Sequence, residues 1–208
     1  MAKEKAKAQS QAASQMTEEQ RKEDEKVEQE NVKIRGLNEL LNAARAAMEA
    51  KNFDQAIALM TQATTMDPTK DLLWFHLGEA YLGAQQYDQA IEAYQKAVAI
   101  KPAGSYYNNL GQALVKSGRT TEAASAYTLA AAADPAAAGQ YYFNLGAILT
   151  NKGQLDQAIA AFDKAIAADP VRAEAYYWKG INLIGKAETK DNKMVAPPGT
   201  DEAFNKYL

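Results

Sequence analysis

The chain has 208 residues, with 23 Lys and Arg against 26 Asp and Glu and a formal charge of -3, a balance that excludes the clustered basic face a nucleic-acid partner requires. It has no cysteine, which excludes disulfides, thiolate metal sites and cysteine nucleophiles. No run reaches the roughly eighteen apolar residues of a membrane helix, and the lysines of residues 1–11 precede no apolar leader core. No membrane insertion is expected, and the chain reads as soluble: cytoplasmic by default, periplasmic if a longer parent carries a signal peptide.

Ala, Glu, Gln and Lys are abundant and β-branched runs are missing, so an all-helical chain is expected. Residues 1–36 hold eight Lys and Arg and eight Asp and Glu with few large apolar side chains. They read as a charged polar N-terminal helix, partly disordered, that cannot bury a core. Thr17 with Gln20 makes a capping box, so the helix starts near Glu18 and runs into the first repeat, no proline intervening before Pro68. Val27, Ile34 and Leu41 recur every seven residues, a seam too short to establish a coiled coil.

From Leu37 the chain repeats itself. Trp74, Leu77, Gly78 and Tyr81 share one helical stripe, Ala90, Tyr94 and Ala97 a second, and Pro102 closes the unit. Tyr107, Leu110, Gly111, Leu114, Ala123, Tyr127, Ala130 and Pro135 repeat the pattern, as do Tyr142, Leu145, Gly146, Leu149, Ala158, Phe162, Ala165 and Pro170. The first unit is atypical, with Leu40, Ala43, Ala44 and Ala47 before Ala56, Met60, Ala63 and Pro68. From the first large residue to the proline is 28 positions in all four units, while the gap from each proline to the next aromatic varies between 5 and 7. Length varies only where chain closure tolerates it. The expected organisation is an array over 37–208, with units 37–70, 71–103, 104–138, 139–172 and 173–208 and an insertion near 186–200. In the fifth unit Tyr176, Gly180 and Leu183 keep the pattern, Lys179 replaces Leu, and Ala203 and Tyr207 are expected in the Ala and Phe places. Ala203 lies 23 residues past Gly180 where 12 is normal, an insertion of 11 that ends at Pro197-Pro198-Gly199.

These residues resemble the tetratricopeptide (TPR) motif, W-x2-L-G-x2-Y followed by A-x3-F-x2-A-x4-P, a helix-turn-helix of about 34 residues. The resemblance implies an all-α, right-handed α-solenoid and a scaffold that binds a protein or peptide rather than an enzyme. The residues agree about chemistry. His76 is the one histidine, too few for a triad with a helper base or a multi-histidine metal site, and the G-x4-G of Gly78 and Gly83 lacks the Lys and Ser or Thr of a phosphate loop. No cofactor is expected.

In TPR arrays the first helices line a concave groove. The corresponding positions here are Asn42 and Arg45; Phe75, His76 and Glu79; Asn108, Asn109 and Gln112; Gln140, Phe143, Asn144 and Asn151; and Tyr177 with Trp178. Leu41, Phe75, Ser105 and Gln140 stand where a carboxylate clamp needs its Lys, Arg and Asn set. Asn42, Asn109 and Asn144 instead resemble the asparagine ladder of the TPR domain in O-linked N-acetylglucosamine transferase. Each amide offers a donor and an acceptor to an extended backbone. The alternative is a structural or assembly role, with self-association or docking through the N-terminal helix or the C-terminal end.

Overall fold

The computed structural model describes residues 18–190 and 193–207; the capping box expected at Thr17 lies outside them. Among the described residues ten α-helices follow in order: α1 Glu18–Glu49, α2 Phe53–Met66, α3 Asp71–Gly83, α4 Tyr87–Ile100, α5 Gly104–Lys116, α6 Thr120–Ala133, α7 Ala138–Asn151, α8 Leu155–Ala168, α9 Ala173–Ile184 and α10 Thr200–Tyr207. Each helix packs chiefly on the one before and the one after it, which is the contact pattern of an α-solenoid. The polar N-terminal stretch and the first helix of the first unit are one continuous helix of 32 residues.

Glycine on the first helix of a pair faces an aromatic ring on the second. A Cβ added to Gly78 would stand 2.6 Å from the Tyr94 ring, one on Gly111 2.8 Å from Tyr127, and one on Gly146 2.7 Å from Phe162. Ala90, Ala123 and Ala158, all at 0% exposure, sit one turn before those rings and let the helices approach. In the last pair the ring facing Gly180 is Phe204, where an added Cβ would stand 2.7 Å away. This corrects the register expected from the sequence. Gly180 to Phe204 spans 24 residues where Gly78 to Tyr94 spans 16, so the insertion is 8 residues long. Thr200, 6% exposed, takes the small-residue place, not Ala203. Packing of the ring decided the register; the Ala-x3-aromatic spacing fits both alternatives.

Two kinds of turn join the helices. Inside each of the first four units one residue adopts a left-handed backbone two positions before the second helix: Lys51 at φ 58°, Gln85 at 61°, Gly118 at 81° and Gly153 at 70°. Between units, an aspartate before the proline often organises the turn. The Asp67 carboxylate accepts from the Thr69 hydroxyl at 2.6 Å and its N–H at 3.2 Å and pairs with Lys33 of α1 at 3.0 Å. Asp134 accepts from the Ala137 N–H, and Asp169 pairs with Arg172 at 3.0 Å.

The core runs lengthwise. Leu37, Ala44, Met60, Ala63, Leu73, Leu77 and Ala93 form one cluster at the N-terminal end, and a larger one continues from Ala90 to Ala175. The contacts that α9 makes with the helices before it differ in kind. Leu77, Leu110 and Leu145 are 4%, 8% and 8% exposed at the place where α9 carries Lys179, which pairs with Asp163 at 2.6 Å. Asn182, 1% exposed, donates to the Thr150 hydroxyl at 2.8 Å and to the Trp178 carbonyl at 2.7 Å, and Lys186 pairs with Asp156. Beyond α9 the insertion forms an antiparallel hairpin of β1 (Glu188–Lys190) and β2 (Lys193–Val195), with Glu188 opposite Val195.

Gly111→Ala is expected to lower the unfolding free energy by about 1–3 kcal/mol, as overpacking does, read from the urea midpoint; an unchanged midpoint would mean the Tyr127 ring can move aside. Asp67 yields a second expectation. The Thr69 hydrogen bond, then Lys33, holds its pKa at about 2, so its stabilising contribution is present above the ordinary aspartate value of about 4 and is lost as the pH falls from there to about 2. Asp67→Asn should flatten the stability profile across that window, and an equally steep acid limb in the variant would contradict it.

Candidate functional site

The expected groove residues fall on the first helices of successive units: Asn42 and Arg45 on α1, Phe75, His76 and Glu79 on α3, Asn108, Asn109 and Gln112 on α5, Gln140, Phe143, Asn144 and Asn151 on α7, Tyr177 and Trp178 on α9. They are not used alike. Asn42, Arg45, His76 and Glu79 share one cavity of about 380 Å³. Gln112 and Asn144 line another, of about 580 Å³, with Leu82, Gln85, Tyr87 and Tyr127. Phe75 stacks on Tyr106 at 4.7 Å between ring centres, and Phe143 meets Phe162 edge-on at 5.8 Å; both rings pack against the core cluster. Tyr177 lies 5.8 Å from Trp178 and 5.0 Å from Tyr207. Asn151, the last residue of α7, is exposed and lines neither cavity.

Amide side chains of α5 and α7 form a head-to-tail chain. The Gln140 amide donates to Asn144 Oδ1 at 2.8 Å, the Asn144 amide to Asn108 Oδ1 at 3.0 Å, and the Asn108 amide to Asn109 Oδ1 at 3.1 Å. Arg172 feeds the far end, its Nη1 donating to Gln140 Oε1 at 3.0 Å. Because each amide carries two donor hydrogens and two acceptor lone pairs, each keeps capacity after these bonds. Of the three asparagines expected to face an extended backbone, Asn144 bonds Asn108, Asn109 ends the chain, and Asn42 stands apart in the smaller cavity. Repeat position alone did not foresee this, since neighbouring residues Asn108 and Asn109 are equally eligible by type. Arg172 was missed because it precedes α9 and falls outside the helix positions used; its signal was a cation two residues past Pro170.

Around the smaller cavity the polar groups are paired on their own helices. His76 Nδ1 lies 2.7 Å from Glu79 Oε2, and Arg45 Nε 3.8 Å from Glu49 Oε1. The Tyr94 hydroxyl is buried without a hydrogen-bond partner; burial first, then the Glu79 carboxylate, raises its pKa. Burial likewise pushes Tyr127 up to about 12. Tyr106 rises to about 12, from burial and from the bond its hydroxyl donates to Asp71 at 2.8 Å. The arrangement supplies neutral amide donors and acceptors along α5 and α7, and charged groups, Arg45, Glu49 and Glu79, around the smaller cavity. Among the described residues no group of three or more His, Asp or Glu is placed to hold a metal, and no helix is long and apolar enough to cross a membrane.

Comparison with known proteins bears on this architecture. Two sequence profiles of the tetratricopeptide repeat match, one over residues 47–115 and the other over 108–173 and 151–181. The small glutamine-rich tetratricopeptide repeat-containing protein 2 of Mycosarcoma maydis is 34% identical over 90 residues, covering 43% of this chain and 26% of that protein. The chain spans about a quarter or less of the length of the curated relatives it matches. Among solved structures, MamA superposes with a TM-score of 0.67 at 25% identity, over 83% of this chain and 90% of MamA. YrrB, described as a TPR protein with an unusual peptide-binding site, superposes at 0.60 with 23% identity, over 81% of this chain and 82% of its own; at that identity the likeness is one of fold. Motif, helix pairing and profile agree that this chain belongs to the tetratricopeptide repeat family.

Proposed function

We propose that the chain is a non-catalytic scaffold whose concave face holds an extended segment of a partner protein or peptide. The observation that carries this reading is the amide chain from Gln140 through Asn144 and Asn108 to Asn109, supplied by Arg172. An extended backbone presents N–H and C=O groups alternately along one edge, and amides that keep a spare donor and acceptor pair with it without reading its side chains. The mutual bonds also hold the amides in place beforehand, which lowers the ordering cost of binding. The 580 Å³ cavity lies alongside, with Asn144 and Gln112 in its wall.

A second reading, self-association or docking of a neighbouring domain through α1, rests on Val27 and Ile34. These two residues are one heptad apart and remain 51% and 47% exposed.

Panning the immobilised protein against a random dodecapeptide library separates these readings. Selected peptides should lose about tenfold in affinity to Asn144→Ala and to Asn108→Ala, as removal of one or two buried hydrogen bonds does, measured by fluorescence polarisation. Undiminished binding by both variants would dismiss the amide chain as the contact. For the second reading, deletion of residues 1–36 should lower the molar mass measured by light scattering; a monomer before and after would dismiss it.

A further inference from the structure

The smaller cavity is built for something the amide chain does not need. Its floor is apolar, formed by Leu41, Ala44 and Met48 of α1 and Met60 of α2. Met60 is fully buried and Ala44 1% exposed, so the walls are fixed by the core while the opening faces the groove. A volume of about 380 Å³ exceeds what one water occupies and lies at the small end of ligand pockets, with room for a large side chain and part of the backbone that carries it. The two methionine thioethers adapt to different apolar shapes.

The rim carries a bias of charge. Glu49 and Glu79 stand against one cation, Arg45. Arg45 is 78% exposed on its side chain and its pairing with Glu49 is long, at 3.8 Å, so it neutralises one carboxylate weakly. Glu79 is more enclosed, at 30% exposure, and its contact is the His76 ring. A group that enters with a positive charge therefore meets two carboxylates, Glu49 and Glu79, set against the one guanidinium of Arg45, with the His76 ring already against Glu79.

Between this cavity and the amide chain lies Tyr94. Its buried hydroxyl has no hydrogen-bond partner and is acted on by both the Glu79 carboxylate and the Asn109 amide. Cavity and chain are thus joined through one buried ring, whose hydroxyl is influenced by Glu79 on one side and Asn109 on the other.

Resting on the groove reading above, we infer that this cavity receives a large aliphatic or aromatic side chain of the partner's extended segment, with a lysine or arginine beside it facing Glu79. The segment then continues over Asn109 along the amide chain. The groove is non-selective along its amides and selective at this end.

Two measurements test this. In the first, the protein labelled at its methionine methyls is titrated with N-acetyl-leucinamide, N-acetyl-phenylalaninamide and N-acetyl-glutamate amide, following Met48 and Met60 by NMR. The leucine and phenylalanine amides should shift both signals and the glutamate amide neither; unmoved signals with all three would overturn the proposal. In the second, peptides selected from the random dodecapeptide library should share an apolar residue within two positions of a Lys or Arg. They should bind Leu41→Ser about tenfold or more weakly, the value of one large apolar side chain. Glu79→Gln, which keeps shape and fold, should remove the preference for the basic residue and reduce the salt dependence. Peptides that depend on Asn144 yet lack this pair would overturn the cavity's role and leave the groove reading standing. If no peptide is selected, the groove reading fails and the methionine titration decides the cavity alone.

Discussion

The close approach of a glycine to an aromatic ring sets the geometry of every helix pair after the first, where Ala44 and Met60 stand in those places. Gly78 against Tyr94, Gly111 against Tyr127, Gly146 against Phe162 and Gly180 against Phe204 are the same contact repeated. Its shortness fixes the distance between paired helices, and with that distance fixed the remaining apolar residues have only one way to interdigitate. Successive pairs then stack through residues such as Leu77, Leu110 and Leu145, which belong to the first helix of one unit and bury against the second helix of the unit before. Because the array is nearly one-dimensional, its core is a seam rather than a centre.

The groove follows from that seam. First helices are brought side by side at a regular spacing, so residues one repeat apart face each other on the concave side, and Asn144 of α7 can reach Asn108 of α5. Bonds of this kind tie neighbouring units by polar contacts on one face while the apolar seam ties them through the middle. At α9 polar contacts join the apolar ones: Lys179 pairs with Asp163 of α8, while Asn182 with Thr150 and Arg172 with Gln140 reach back to α7. Arg172 therefore ties a unit boundary, through Asp169, to the amide chain, through Gln140.

The repeat pattern was legible because its determinants are residue types with narrow physical roles: glycine where a ring approaches, alanine where helices meet, proline where a helix must end. The last unit resisted because Ala203-x3-Tyr207 and Thr200-x3-Phe204 satisfy the same spacing, and only the position of the Phe204 ring against Gly180 distinguishes them. The sequence placed a row of amides on the first helices but carried no signal for the bonds they make with one another. Asn108 and Asn109 are alike in chemistry and one residue apart, so which of them meets Asn144 depends on helix rotation, a tertiary property. Phe75 and Phe143, expected along the groove, are half-buried and also pack inward, stacked on Tyr106 and set edge-on to Phe162. The aspartates of the turns were visible in the sequence as Asp67-Pro68, Asp134-Pro135 and Asp169-Pro170, but their three different partner sets were not.

The left-handed turn residues tie stability to the site in another way. In the third and fourth units this position is glycine, which adopts such a backbone freely, whereas in the second it is Gln85 at φ 61°. A non-glycine residue there costs roughly 1–2 kcal/mol, and the Gln85 side chain lines the wall of the 580 Å³ cavity. The array thus stores backbone strain at the one left-handed turn whose residue lines that cavity, so the sequence at this point is a compromise: the residue that would best suit the turn is one that would give the cavity no side chain.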